Sequence, residues 1–158
     1  MVLEKITHIV FDHDGTLVDT TKISRTLYPG IKELLMELNQ RGIPMYVWTA
    51  RDKKSTQEIL SKQGVLSFFI DICGGDSAAR KPSAEGLEYL LSGVNAQNVI
   101  VIGDSIGDII GAKSFGATAV AVLWDKKDER AEAAFIQAGA YKTFFSPQEL
   151  KLFLEKSI

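Results

Sequence analysis

The strongest constraint on the fold is a run of four consecutive β-branched aliphatic residues, Val99-Ile100-Val101-Ile102, with Asn98 before it and Gly103-Asp104 after it. Such a run has no polar face, so a strand built from it must be covered on both sides, as strands of parallel sheets are. The rest of the chain repeats the theme. Ile6 to Phe11, Ile43 to Trp48, Phe68 to Ile72 and Thr118 to Leu123 are further short strand-like runs, and Tyr141 to Phe145 is a candidate last one. Between them lie helix-like segments. Pro29 opens one that places Ile31, Leu34, Leu35 and Leu38 at helical spacing and stops at Gly42. Others span Asp52 to Lys62, Ser83 to Leu91, Ser105 to Phe115, Ala131 to Gln137 and Pro147 to Lys156. Strands alternating with helices predict an α/β fold of right-handed βαβ units around a parallel sheet.

Composition narrows the functional classes. A chain of 158 residues predicts one domain, 1–158, with room for a proper core. Its net charge of −2 gives none of the basic footprint of a nucleic-acid binder. No apolar run approaches the ~18 residues of a membrane span. The stretch Met1 to Thr7 carries Glu4 and lacks the apolar core of a secretory signal. Cys73 is the only cysteine, which excludes an internal disulfide or a cysteine metal cluster and suits a reducing cytoplasm. The densest charge run, Asp125 to Glu132, reads as a solvated loop and helix start.

In parallel α/β sheets ligands bind outside the carboxyl ends of the strands, so the residues just after each apolar run carry the functional information. Asp12-His13-Asp14-Gly15-Thr16 follows the first strand and Thr49-Ala50-Arg51 the second. Lys81-Pro82 precedes the helix after the third, and Gly103-Asp104-Ser105, with Asp108 beyond, follows the fourth. Converging on one sheet edge, these segments offer four carboxylates, a hydroxyl and an ammonium. Crowded carboxylates resist joint ionisation unless a cation joins them, and a hard ion such as Mg²⁺ takes one or two carboxylates together with water and phosphate oxygens. A threonine, a lysine and turn N–H groups suit the remaining phosphate oxygens. One carboxylate can attack phosphorus while a second serves as general acid and base.

Each residue also has a plain structural reading. Asp14-Gly15 suits a turn, Thr49 a helix cap, and Lys81 a solvated position. Ser105 to Asp108 matches an acidic capping box, and Asp104 suits a cap as well. Only Asp12, ending an apolar strand, is hard to explain structurally, because buried charge without a partner is costly. What favours chemistry is the shared placement at strand ends.

These residues resemble the haloacid dehalogenase superfamily of phosphohydrolases. The apolar run with Asp12-His13-Asp14-Gly15-Thr16-Leu17 is similar to the family's first motif, Val47-Trp48-Thr49 to the second, Lys81-Pro82 to the third, and Gly103-Asp104 with Asp108 to the fourth. The resemblance implies a three-layer, doubly wound, Rossmann-like parallel sheet of about five to six strands. It implies Asp12 as nucleophile and Mg²⁺ ligand. Asp14 would be general acid/base and bind the metal through its carbonyl, and Asp104 would be a further Mg²⁺ ligand. Asp108 would act behind these ligands or through water, and Thr49 and Lys81 would hold the phosphoryl group. Members that cleave carbon–halogen bonds lack the second aspartate, so Asp14 argues for phosphate chemistry. His13 departs from the usual apolar residue. Strand alternation would point it away from Asp12 and Asp14, which reads as packing or a local hydrogen bond. Arg51 is close enough to Thr49 to touch substrate, although Asp52 offers it a surface partner. Trp124 suits stacking on substrate or plain packing, and His8 a core or half-buried position.

Family members often carry a lid domain, inserted between the first two motifs or between the second and third. Here 37 positions separate Asp12 from Thr49 and 32 separate Thr49 from Lys81, and predicted elements use most of them, leaving only Val18 to Tyr28 spare. No cap domain is expected. The site should be open, closed by a large substrate such as a phosphoprotein or by a neighbour in a homo-oligomer. The leading expectation is an Mg²⁺-dependent phosphatase acting on a phosphorylated small metabolite, such as a sugar or nucleotide phosphate. The alternatives are a receiver-like phosphate sensor, a phosphoprotein phosphatase and a phosphomutase.

Overall fold

The structure is a computed structural model that describes residues 3–125 and 128–158. Met1 and Val2 of the amino-terminal stretch, and Lys126 and Lys127 of the charged run, lie outside the described residues. Among the described residues, eight strands and six α-helices follow one another as β1 (His8–Phe11), β2 (Val18–Asp19), β3 (Thr26–Leu27), α1 (Ile31–Gln40), β4 (Met45–Trp48), α2 (Lys53–Lys62), β5 (Phe69–Cys73), α3 (Glu85–Leu90), β6 (Val99–Gly103), α4 (Ile106–Phe115), β7 (Thr118–Val122), α5 (Glu129–Ala138), β8 (Lys142–Phe144) and α6 (Pro147–Ser157). Six of the strands form one sheet in the order β5-β4-β1-β6-β7-β8, with every pairing parallel. This is the parallel α/β sheet that the alternation predicted, doubly wound as the resemblance implied.

The β-branched runs explain the layering. Along β1, Ile9 and Phe11 enter one apolar cluster and Val10 the other. In β6, Ile100 and Ile102 face the first cluster, Val99 and Val101 the second. Helices α1 and α6 contribute Ile31, Leu34, Leu35, Leu38, Leu150 and Leu154 to the first cluster, while α3 and α4 contribute Leu87, Leu90, Ile109 and Ala112 to the second. Period-2 strands sandwiched between period-3.6 helices thus bury both faces of the sheet. Trp48 is wedged between two helices where a side chain larger than hydrogen would collide with it: a Cβ on Gly86 would lie 2.5 Å from its Nε1, and one on Gly111 2.5 Å from its Cη2.

Strand order reverses at β1. The chain moves outward through β4 and β5, then returns to the other side of β1 with β6. The carboxyl ends of β1, β4 and β6 therefore meet at the switch point, where open α/β sheets place their ligands. The segment left spare in the sequence folds into a small antiparallel hairpin, β2 against β3. Each of its strands is two residues long, too short to register as periodicity. No separate lid domain occurs among the described residues.

Candidate active site

The loop after β1 is tightly wound. The His13 carbonyl accepts hydrogen bonds from the N–H groups of Thr16, Leu17 and Val18, and the Gly15 N–H donates to the Val18 carbonyl at 2.9 Å. Gly15 has φ 83°, in the left-handed region, and a Cβ there would fall inside the Asp104 carboxylate. Glycine is thus required both for the turn and for the close approach of the β1 and β6 loops. A cleft of about 500 Å³ opens above, lined by Asp12, Asp14, Thr49, Arg51, Lys81 and Asp104 among others. Four loops, with lining residues up to 93 positions apart in sequence, meet there.

Lys81 is not solvated; its side chain is only 10% exposed. Its ammonium donates to Asp12 Oδ1 at 3.0 Å, Asp108 Oδ1 at 2.5 Å and the Trp48 carbonyl at 2.8 Å, and it lies 4.4 Å from the Trp48 ring centre. Burial alone would lower its pKa, but the Asp12 and Asp108 charges outweigh that and raise it, so Lys81 stays protonated. Asp12 is buried, with Thr16 Oγ1 donating to its Oδ2 at 3.4 Å. Burial, the Asp108 charge and the neighbouring Asp104 push its carboxyl well above the ordinary range, against the opposing pull of Lys81. Lys81 pairs with two of the three clustered carboxylates, Asp12 and Asp108. Oxygens of Asp12, Asp104 and Asp108 lie within 4.8 Å of one another, an all-oxygen donor set that suits a hard divalent cation.

Within that set Asp108 is already committed. Its Oδ1 is taken by Lys81, and its Oδ2 accepts from the Ser105 N–H at 3.1 Å and hydroxyl at 2.9 Å, completing the capping box of α4. Asp108 therefore anchors both the helix start and Lys81. Ser105, not Asp104, is the helix cap.

Asp14 is gripped from two sides. His13 Nδ1 lies 2.6 Å from its Oδ1, while Arg51 donates through Nε to Oδ1 at 2.9 Å and through Nη2 to Oδ2 at 2.8 Å. Burial pushes the Asp14 carboxyl upward, but the His13 and Arg51 hydrogen bonds and charges prevail and hold it well below the usual carboxylate range. His13 is where strand alternation misleads: β1 ends at Phe11, so Asp12 to Asp14 is loop, and the imidazole turns toward Asp14. Its local hydrogen bond is the expected one. Arg51 bonds Asp14 because Asp52 is occupied as the N-cap of α2, accepting from the Ser55 N–H at 2.8 Å. Thr49 is correspondingly no helix cap; its buried hydroxyl accepts from the Arg51 N–H at 3.1 Å and orients that loop.

Neither Trp124 nor His8 lines that cleft. Trp124 Nε1 donates to the Thr16 carbonyl at 2.9 Å and packs on the first cluster. His8 bonds Thr7 and stacks on Tyr46. Burial pushes the Cys73 thiol up, which makes it a poor nucleophile. Nothing in the residue pattern signals the Trp48 carbonyl as an acceptor for Lys81.

A family model for haloacid dehalogenase-like hydrolases matches residues 24–122, more than half of the chain. The chain belongs to that family. The match begins beyond Asp12 and Asp14, so the family assignment and the carboxylate loop are separate observations. A phosphoglycolate phosphatase of Vibrio parahaemolyticus is 36% identical over 101 residues, 62% of this chain and 44% of that protein. One of Neisseria gonorrhoeae is 35% identical over 104 residues, 64% of this chain and 44% of that protein. The chain thus spans less than half the length of these curated relatives. Among solved structures, a candidate β-phosphoglucomutase of Thermotoga maritima superimposes with a TM-score of 0.86 at 18% identity, over 97% of this chain and all of that one. A haloacid dehalogenase-like protein of Streptococcus pneumoniae gives 0.80 at 21%, over 94% and 98%. At these identities the agreement shows the family's fold.

Proposed function

We propose that this haloacid dehalogenase-like chain is a catalytic domain, 1–158, that hydrolyses phosphate monoesters of small metabolites through an aspartyl-phosphate on Asp12. The observation that carries the proposal is the placement of Asp12, Asp14, Thr49, Lys81 and Asp104 around one cleft at the switch point. A volume of about 500 Å³ suits a small ester better than a protein surface.

In this reading an Asp12 oxygen attacks phosphorus in line with the leaving oxygen; the Asp12 O–P bond forms as the ester P–O bond breaks. Asp14, ionised in the resting site and protonated from solvent once substrate draws Arg51 off its Oδ2, gives that proton to the leaving oxygen, then takes one from the water that cleaves the aspartyl-phosphate and regenerates Asp12. Lys81 and Thr49 hold the phosphoryl oxygens, and Arg51 borders the leaving-group side. Asp12 and Asp104, with the Asp14 carbonyl, would hold Mg²⁺, which supplies positive charge to the phosphoryl oxygens when bound. Membership of a hydrolase family favours this over a receiver-like module. The open cleft, which does little to exclude water from a phospho-aspartate, favours hydrolysis over phosphomutase transfer.

The test is phosphate release from p-nitrophenyl phosphate and a panel of sugar, nucleotide and carboxylate-bearing phosphate esters, with Mg²⁺ or with a chelator. Mg²⁺-dependent turnover that vanishes in Asp12→Asn is expected. Equal rates in wild type and Asp12→Asn would overturn the nucleophile assignment. A solution mass measurement would show whether a second copy is available to close the cleft, and a cytoplasmic setting fits the buried, reduced Cys73.

A further inference from the structure

His13 is fully buried. His13 Nδ1 lies 2.6 Å from Asp14 Oδ1, a hydrogen bond in which the Nδ1–H tautomer of the ring is the donor. The other ring nitrogen, Nε2, is buried with no hydrogen-bond partner among the described residues. A buried polar atom left without a partner costs about 1–3 kcal/mol, a cost that leucine at this position would not carry. The ring therefore pays for itself only through Nδ1 and Asp14.

The two partners of Asp14 differ in kind. Arg51 sits on the cleft wall, with its side chain 21% exposed and Nη1 3.4 Å from Ser55 Oγ, and it occupies Asp14 Oδ2. While that contact stands, Oδ2 is not free to meet a leaving-group oxygen. His13 holds only Oδ1 and lies beneath the surface. We infer that His13 is a positioning residue: it keeps the Asp14 carboxyl aligned from below when Arg51 turns to the incoming substrate and uncovers Oδ2. This rests on the proposed phosphatase reading, with Asp14 as the proton donor to the leaving oxygen.

A leaving-group series tests it, because a merely structural role would lower all substrates alike. The value of kcat/KM reports transfer to Asp12, the step in which Asp14 assists departure. Alkyl phosphates need that assistance; p-nitrophenyl phosphate, whose leaving group is a weak base, needs far less. His13→Leu is expected to lower kcat/KM about 30- to 100-fold for alkyl phosphates and less than about threefold for p-nitrophenyl phosphate, the scale of a modest misplacement of a reacting group. His13→Asn, whose side-chain N–H can stand where Nδ1–H stands, should restore most of the loss, and His13→Gln should not. Thermal melting should show His13→Leu as stable as wild type or more so. A uniform loss across leaving groups, or equal behaviour of Asn and Gln, overturns the inference. If His13→Leu fails to fold, the Asn and Gln pair decides. Asp14→Asn separates the two levels. If it shows the leaving-group dependence and the His13 variants do not, only the positioning role falls; if wild type hydrolyses no ester at all, both readings fall.

Discussion

Replacing Lys81 by methionine removes one charge while keeping an unbranched side chain of similar length. The ammonium binds two buried carboxylates and a carbonyl, and its side chain is 10% exposed, against 10% for Asp12 and 1% for Asp108. Breaking a buried ion pair by removing one partner costs about 3–5 kcal/mol. Asp12 can relieve part of this by taking up a proton, since its carboxyl is already pushed upward by burial and by the Asp108 charge, so the lower end, about 3 kcal/mol, applies. For a domain of this size that is a drop of about 6–12 °C in Tm, measured by calorimetry in chelator at pH 7. Mg²⁺ should narrow the gap, because the cation supplies positive charge to the same carboxylates. Activity should fall by about 10²–10³, the cost of losing one preorganised donor to a developing oxyanion. A cycle with Asp108→Asn should show coupling between the two positions. A Tm within about 2 °C of wild type, or a gap that Mg²⁺ leaves unchanged, would refute the view of Lys81 as the cation that makes this acidic cluster tolerable.

Asp12→Asn should abolish turnover yet raise Tm in chelator. Because the Asp12 carboxyl is raised on folding, its ionisation opposes folding. The Tm advantage of Asp12→Asn over wild type should therefore be absent below the ordinary carboxylate range and grow as pH rises above it, a trend followed by melting at a series of pH values. Gly15→Ala should cost about 1–2 kcal/mol for the left-handed backbone alone, and should weaken Mg²⁺ binding, read by calorimetric titration, because the new methyl displaces Asp104. Gly111→Ala sets a helix gain of about 0.8–1.0 kcal/mol against overpacking of about 1–3 kcal/mol where the methyl meets Trp48 at 2.5 Å and the Pro82 carbonyl at 2.9 Å. Net destabilisation is expected, and denaturant unfolding with an unchanged or raised midpoint would count against the packing described for Trp48.

The alternation of β-branched runs and helical spacing was enough to determine a parallel sheet with helices on both faces, because burial on two sides leaves its mark on every strand residue. Strand ends followed from the same runs, and so did the short list Asp12, Asp14, Thr49, Arg51, Lys81, Asp104 and Asp108. The sequence could not say which of these residues bind one another, since partners such as Lys81 and Asp12 lie 69 positions apart and meet only through the strand order. Tertiary structure decided that Lys81 is buried between two carboxylates, that Arg51 turns to Asp14 because Asp52 is spent on a helix cap, and that His13 faces Asp14 because β1 has already ended. It also revealed the β2–β3 hairpin, too short for any period to show. Local pattern reports which face of an element is buried; hydrogen bonds and ion pairs across the site depend on distances that only the packed sheet defines.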